Sequence, residues 1–427
     1  MSCSKNTIHC DRCCHDVTGL CVDDACPSCG LSHVVRTALP SSVMYRPWLH
    51  RFACTLVFLT FILVSSGGNV TSRDAGLAVP DGFWVFDHFL WTFPFEKWTG
   101  GIFHEHLHRL IGSGIGILCI VSLFLIYKTQ PHRMRLKKLG WLVLAAVIFQ
   151  GVLGALRVDI VKYYPETEIW YRVAHAISGQ LFLCLTVLLA IVTSRYWLSR
   201  SGVCKRFANQ TDGISKKVRS YQRGALILFY VLFIQLVLGA VTRHSRANET
   251  GLSIPDYPYS YGQIIPPMTA EGIAAAQDDL FWDAVERGDR EISDEDNVIF
   301  TPFQVIVHFS HRVWAIVVFF VCLHITTKLI LLMMREQQLF DLLLAPTVGL
   351  LFALCLQVTL GMLIIWTNRM PDVATSHQAL GAIMLASSFL LWVRVGLCQD
   401  TIYHYNKKTC AASGTEATRA MPKGASV

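Results

Sequence analysis

The chain has 427 residues, 53% of them hydrophobic and 16% charged, with a mean hydropathy of +0.43. Those figures exclude an ordinary soluble protein of this length and fit a polytopic membrane protein. The formal charge of +7 lies mostly in short loops, so it reads as a topology signal and not as a nucleic-acid surface.

In chain order, the first forty residues are polar and rich in cysteine. Cys10 and Cys13, then Cys26 and Cys29, make two C-x-x-C knuckles with twelve residues between them. Four thiolates at that spacing suit a tetrahedral Zn ion, so 1–40 is expected to be a zinc-ribbon-like segment. Free or redox-active thiols are the alternative, because Cys14 and Cys21 blur the ligand choice. Thiolate ligands favour a reducing compartment, hence a cytoplasmic N-terminus. No secretory signal is legible, and Asp11, Asp16, Asp23 and Asp24 argue against a mitochondrial transit peptide. The expected location is a bacterial inner membrane, with the mitochondrial inner membrane second.

Beyond Pro40 come eight apolar runs, near 51–68, 108–128, 138–156, 173–194, 222–242, 304–333, 342–366 and 374–396. Each approaches the ~20 residues needed to cross a bilayer. The loops after the second run (Lys128 to Lys138) and after the fourth (Arg195 to Arg223) are basic and are expected on the cytoplasmic side. The connection from Arg243 to Pro302 is acidic and belongs outside, which leaves both termini inside. A basic linker is expected at 197–221 and a cytoplasmic tail at 397–427.

The runs repeat four by four. Gly68-Asn69-Val70-Thr71 and the segment to Asp81 answer to Gly239-Ala240-Val241-Thr242 and the segment to Asp256. His108-Arg109 answers to His311-Arg312, Gln150 and Gly154 to Gln357 and Gly361, and His175 to His377. The expected fold is therefore an all-α membrane protein, its eight transmembrane helices forming two tandem four-helix bundles. The halves would be 50–196 and 222–396, both in the same orientation, related by an axis along the membrane normal.

This duplication carries the chemistry. His108 and His175 open helices that descend from the outer side, and His311 and His377 do the same in the other half. Inward histidines on adjacent helices hold a metal or a haem iron as axial ligands. Gly112, Ser113, Gly114, Gly116 and Gly179 would admit a flat macrocycle, or serve plain helix packing. Glu105 precedes His108 by three positions, on one face if the helix begins early enough, and its counterpart is His308. A carboxylate beside one site only gives the halves different jobs; a macrodipole role at a helix start is the alternative. Arg109 and Arg312 suit haem propionates or interfacial snorkelling. His104-Glu105-His106-Leu107-His108 also satisfies H-E-x-x-H, the zinc metalloprotease pattern, but a protease leaves His175, His311 and His377 without a role.

Taken together, Glu105-x-x-His108-Arg109, the two Val-Thr to Asp segments and the other three histidines resemble the haem A synthase family, over residues 50–396. The resemblance implies oxidation of the C8 methyl of haem O to the formyl of haem A by successive hydroxylations. It further implies that His108 and His175 flank the substrate haem O, that His311 and His377 ligate haem b, and that Glu105 is catalytic. The implied partners are a haem O synthase and an electron acceptor such as a quinone or a redox protein. Some family members carry a cysteine pair in an outer loop; neither 69–107 nor 243–302 holds any cysteine. A di-haem electron-transfer cytochrome would share the bundle and the histidines but not the use of Glu105. A parallel-repeat transporter would place its site at the bilayer midplane, away from these histidines.

Overall fold

A computed structural model of the chain describes residues 9–10, 36–37, 45–198, 213–245, 252–287, 300–335 and 340–419. Nine helices of four or more turns run in order: α1 Pro47–Ser72, α2 Gly100–Thr129, α3 Met134–Val161, α4 Glu168–Thr193, α5 Gly213–His244, α6 Ala270–Glu286, α7 Pro302–Arg335, α8 Phe340–Trp366 and α9 Pro371–Arg419. All but α6 are long and apolar enough to cross a membrane, which makes eight spans as expected. Proline stands at the first position of α1, α7 and α9, where its missing N–H is one of the unpaired donors of any helix start. At the N-terminus two short strands, His9–Cys10 and Arg36–Thr37, pair antiparallel. Cys13, Cys26 and Cys29 of the expected zinc segment lie outside the described residues, as does the Cys10 side chain.

Packing follows the repeat. Helices α1, α2, α3 and α4 close one ring of neighbours; α5, α7, α8 and α9 close a second. The bundles meet where α1 and α4 pack on α5 and α9. Large apolar side chains such as Phe58, Phe124, Phe320 and Phe352 face outward and stay exposed, as lipid-facing surfaces require.

Each bundle buries its large apolar side chains away from its histidines. The first core is built from Leu49 to Leu56, Ile115 to Ile126, Leu136 to Val147 and Phe182 to Val192. The second uses Ala225 to Leu232, Val318 to Met333, Leu343 to Leu354 and Met384 to Val395. In all eight helices these stretches stop short of the end that carries His108, His175, His311 or His377. Dense packing therefore fixes one end of each bundle and leaves the other to polar and small residues.

Three boundaries differ from expectation. Helix α2 begins at Gly100 and not near 108, and α4 at Glu168 and not near 173. Their first turns are polar, so apolar run length does not register them, yet Glu105 and His106 are buried in protein. Helix α9 continues to Arg419, past the apolar run that ends at 396, so the segment expected as a tail from 397 begins as helix. The acidic connection contains α6, capped by the Thr269 hydroxyl accepting from Gly272 N at 3.2 Å. Ile273 of α6 anchors it in a small core with Ile254, Tyr261, Phe300 and Val305.

Candidate functional site

The four histidines sit near the starts of α2, α4, α7 and α9, each with its ring pressed on a glycine of another helix. A Cβ on Gly67 would stand 3.0 Å from His108 Cε1, and one on Gly239 2.9 Å from His311 Cε1; the gaps are 3.3 Å for Gly154 with His175 and for Gly361 with His377. A side chain at any of the four would press on the imidazole, most of all at Gly239. Beside the rings of His108, His311 and His377 lie the backbone carbonyls of Leu63, Gln235 and Gln357, each four residues before the glycine in question. The His108 and His175 ring centroids are 6.5 Å apart with planes at 82°. That gap admits one metal ion about 2.0 Å from a nitrogen of each ring.

Nδ1 of all four histidines is buried without a hydrogen-bond partner. For His175, beside whose ring no such carbonyl stands among the described residues, the buried, unpaired nitrogen is the mark of a group whose partner is a ligand. Paired imidazoles, glycine clearances and bundle ends free of large core side chains fit a haem iron held by His108 and His175, and another held by His311 and His377. Of the small residues expected to admit a macrocycle, Gly114 and Gly116 face open space, Gly112 approaches Leu63, and Gly179 approaches Gln150.

The halves differ around this common frame. In the second, Gln235 Nε2 lies 3.3 Å from His311 Nε2 and donates to His311 O at 3.2 Å; Gln357 does the same to His377 at 3.3 and 3.0 Å. In the first half Gln150 Nε2 is buried without a partner, and Val64 stands four residues before Gly68 where Gln235 stands before Gly239. Sequence reading singled out Gln357 but missed Gln235. The signal was there, since Gln-x-x-x-Gly occurs at 150–154, 235–239 and 357–361.

Glu105 is buried, 4% exposed, and fully engaged. Its Oε1 receives Arg109 Nη2 at 2.7 Å, and its Oε2 receives the backbone N–H of Val79 at 2.8 Å. His308 in the same repeat position bonds the Ser253 hydroxyl at 3.0 Å. A carboxylate thus faces the loop in one half and an imidazole in the other.

Arg109 and Arg312 share one task. Arg109 donates to the carbonyls of Asp81 at 2.6 Å, Trp84 at 3.2 Å and Val79 at 3.3 Å. Arg312 donates to those of Asp256 at 2.9 Å, Tyr259 at 3.0 Å and Ile254 at 3.0 Å. Each guanidinium therefore clamps the loop that roofs its own bundle. The duplication runs further through these loops than the sequences suggest. Phe86 and Asp87 (φ 48° and 64°) turn the first loop as Tyr261 and Gly262 (φ 58° and 70°) turn the second, with matching bridges Val85 to His88 and Ser260 to Gln263. Asp256 staples the second turn, accepting from Tyr261 N at 2.7 Å and Gly262 N at 2.8 Å. Burial, then the Asp256 charge, push the Tyr261 hydroxyl above its ordinary pKa, and it donates to Ser253 O at 2.7 Å.

The remaining histidines of the H-E-x-x-H stretch go elsewhere. His104 lies 3.1 Å from Asn69 Nδ2, and His106 is boxed by Trp98 and Phe93 at 4.5 and 5.1 Å between centroids. Among the described residues no three His, Cys, Asp or Glu side chains converge as a metal cluster. His104 stands at Asn69 and His108 on Gly67, so the histidines of that pattern and Glu105 do not converge on one ion.

Comparison with known proteins agrees with this arrangement. The COX15-CtaA model, described as cytochrome oxidase assembly protein, matches residues 92–389. The chain belongs to this family. Its family relatives include a Heme A synthase of Shewanella oneidensis, 26% identical over 367 residues, covering 82% of this chain and 97% of that protein. A Heme A synthase of Orientia tsutsugamushi is 24% identical over 67% of this chain and 72% of its own length. One of Rhizobium meliloti is 30% identical over 38% of this chain and 40% of its own. The matched family region, 92–389, contains Glu105 and all four histidines but not α1, which supplies Gly67.

Proposed function

We propose that this chain is a haem A synthase that oxidises the C8 methyl of haem O to a formyl group by successive hydroxylations, in the service of cytochrome oxidase assembly. One observation carries the reading: two pairs of histidines, each ring seated on a glycine of another helix, repeated in two bundles of which, among the described residues, the first alone has a buried carboxylate beside it. His108 and His175 hold the substrate haem, and His311 and His377 hold haem b. The haem irons supply the redox chemistry, since oxidising an unactivated methyl lies beyond side-chain acid–base groups.

The chain's own residues do the rest. Four helices bring the histidines to one end of each bundle and fix the rings against glycine backbone, so the iron would be held at a set depth. Glu105 is held in place by Val79 N–H and Arg109. A fixed carboxylate there would stabilise positive charge developing at the methyl carbon or move a proton at the site. Arg109 couples that carboxylate to the loop carbonyls, so the roof and the acid–base group move together. In the second half Gln235 and Gln357 brace the ligand histidines, as suits a haem that stays bound.

The basic loops between α2 and α3 and between α4 and α5 support termini in the cytoplasm and the histidine end outside, in a bacterial inner membrane. A haem O synthase supplies the substrate, and a quinone or redox protein accepts electrons. The test is mass analysis of non-covalent haems extracted from protein expressed with a haem O source. Haem A or a hydroxylated haem O together with haem b is expected. Haem b alone would replace this reading with an electron-transfer cytochrome.

A further inference from the structure

The ligand histidines account for the iron but not for a second group of buried polar side chains beside the first pair. Arg157 lies on α3 three residues beyond Gly154, and Arg172 on α4 three residues before His175. Because Gly154 and His175 touch, both arginines stand one turn from that contact, toward the loop end. His244, the last residue of α5, comes from the other half. It is 8% exposed, its Nδ1 has no partner, and its charged neighbours are Arg243, Arg172, Arg157 and His175.

The cluster is short of negative charge. Arg157 donates to the Gly76 carbonyl, its Nε is buried without a partner, and among the described residues it forms no ion pair. Glu168 is taken by Arg172, and Glu105 by Arg109. Arg172 Nε is also buried and unpaired. A desolvated guanidinium whose one direct partner is a carbonyl, with both nearby carboxylates paired to other arginines, is unfavourable unless a further anion completes it. Arg157 meets the Gly76 carbonyl and Glu105 the Val79 N–H three residues on, so both groups address the same stretch of loop.

We infer that Arg157, Arg172 and His244 form a carboxylate seat, shared between the two halves, that receives a propionate of the substrate macrocycle and thereby sets which methyl faces Glu105. The inference rests on the haem O reading above. On haem O the C8 methyl is the ring neighbour of a propionate. Seating that propionate at Arg157 brings the reacting methyl to the Glu105 side. These are positioning residues: they bind the propionate and not the methyl that reacts. They also give the second half a physical part in the first site, through His244.

The test uses the purified full-length protein with haem O and with haem O dimethyl ester, in which both propionates are masked. Bound farnesylated haem per chain is read by extraction and mass analysis, which separates it from haem b in the other half. Wild type is expected to retain the diacid about 10- to 100-fold better than the diester, the worth of one or two hydrogen bonds to a charged group. Arg157→Leu should abolish the preference, Arg157→Lys should restore part of it, and His244→Leu should weaken it, all with haem b content unchanged as the check on folding. In turnover, Arg157→Leu should also yield product oxidised at a second methyl. Equal retention of diacid and diester by wild type would overturn the seat and leave the haem O reading standing. Retention of neither would overturn both.

Discussion

Glu105 and Arg109 are joined at 2.7 Å one helical turn apart, and Arg109 carries that link on to the carbonyls of the loop above. The carboxylate is thus a fixed part of the roof of the first bundle, whereas its repeat counterpart His308 meets a serine hydroxyl. From this follows the expected behaviour of Glu105→Gln. Haem b in the second half should be retained, while conversion of haem O falls by about 10²-fold or more, the ordinary worth of a positioned acid–base group. Haem A per chain, measured against haem b per chain, checks it; unchanged conversion would remove Glu105 from the chemistry.

The glycine clearances predict site-selective loss. Gly239→Ala puts a methyl 2.9 Å from His311 Cε1, so the ring must move. Overpacking of this kind costs about 1–3 kcal/mol, roughly tenfold or more in affinity, and should deplete haem b alone. Gly67→Ala should instead deplete haem O and spare haem b. Haem analysis of the two variants distinguishes them, and equal depletion in both would contradict independent sites.

Contacts between the halves differ sharply in expected weight. Arg73 and Asp372 pair at 2.8 Å, but their side chains are 38% and 66% exposed. Asp372→Asn should therefore shift stability by less than about 0.5 kcal/mol, and less still in high salt. Arg243 instead donates to Gly68 O at 2.7 Å and to the Ser72 hydroxyl inside the interface. Arg243→Ala should cost about 2–3 kcal/mol. Thermal unfolding of the two purified variants in detergent compares them directly.

Tyr261 links the second loop to pH. Its hydroxyl is held above the ordinary tyrosine pKa by burial and by Asp256, so the folded loop keeps a proton that the unfolded loop releases. The resulting stability is complete below about pH 10 and is lost as pH rises beyond it. Protease cleavage within 252–268 should accordingly increase at alkaline pH in wild type. Tyr261→Phe should cleave somewhat faster at neutral pH, having lost the bond to Ser253, and should show a flatter alkaline rise.

The sequence alone determined the membrane class, the eight spans, the duplication and the four histidines. Each of these is local: a spanning helix must be apolar over its own length, and a repeat shows in its own letters. It did not locate the true start of α2, because its polar first turns are buried by protein and not by lipid, and apolar run length registers only lipid. Nor did it find the seats of the histidines. Gly67 and His108 are 41 positions apart, and Gly68, which the repeat aligns with Gly239, approaches Gln378 instead. Arg109 and Arg312 carried two sequence readings, and the fold engages both with loop carbonyls. The neighbourhood of Arg157, Arg172 and His244 comes from three helices in two bundles. Only tertiary packing decides which distant polar groups are desolvated together, and that sharing of a dry space gives them a common ligand to find.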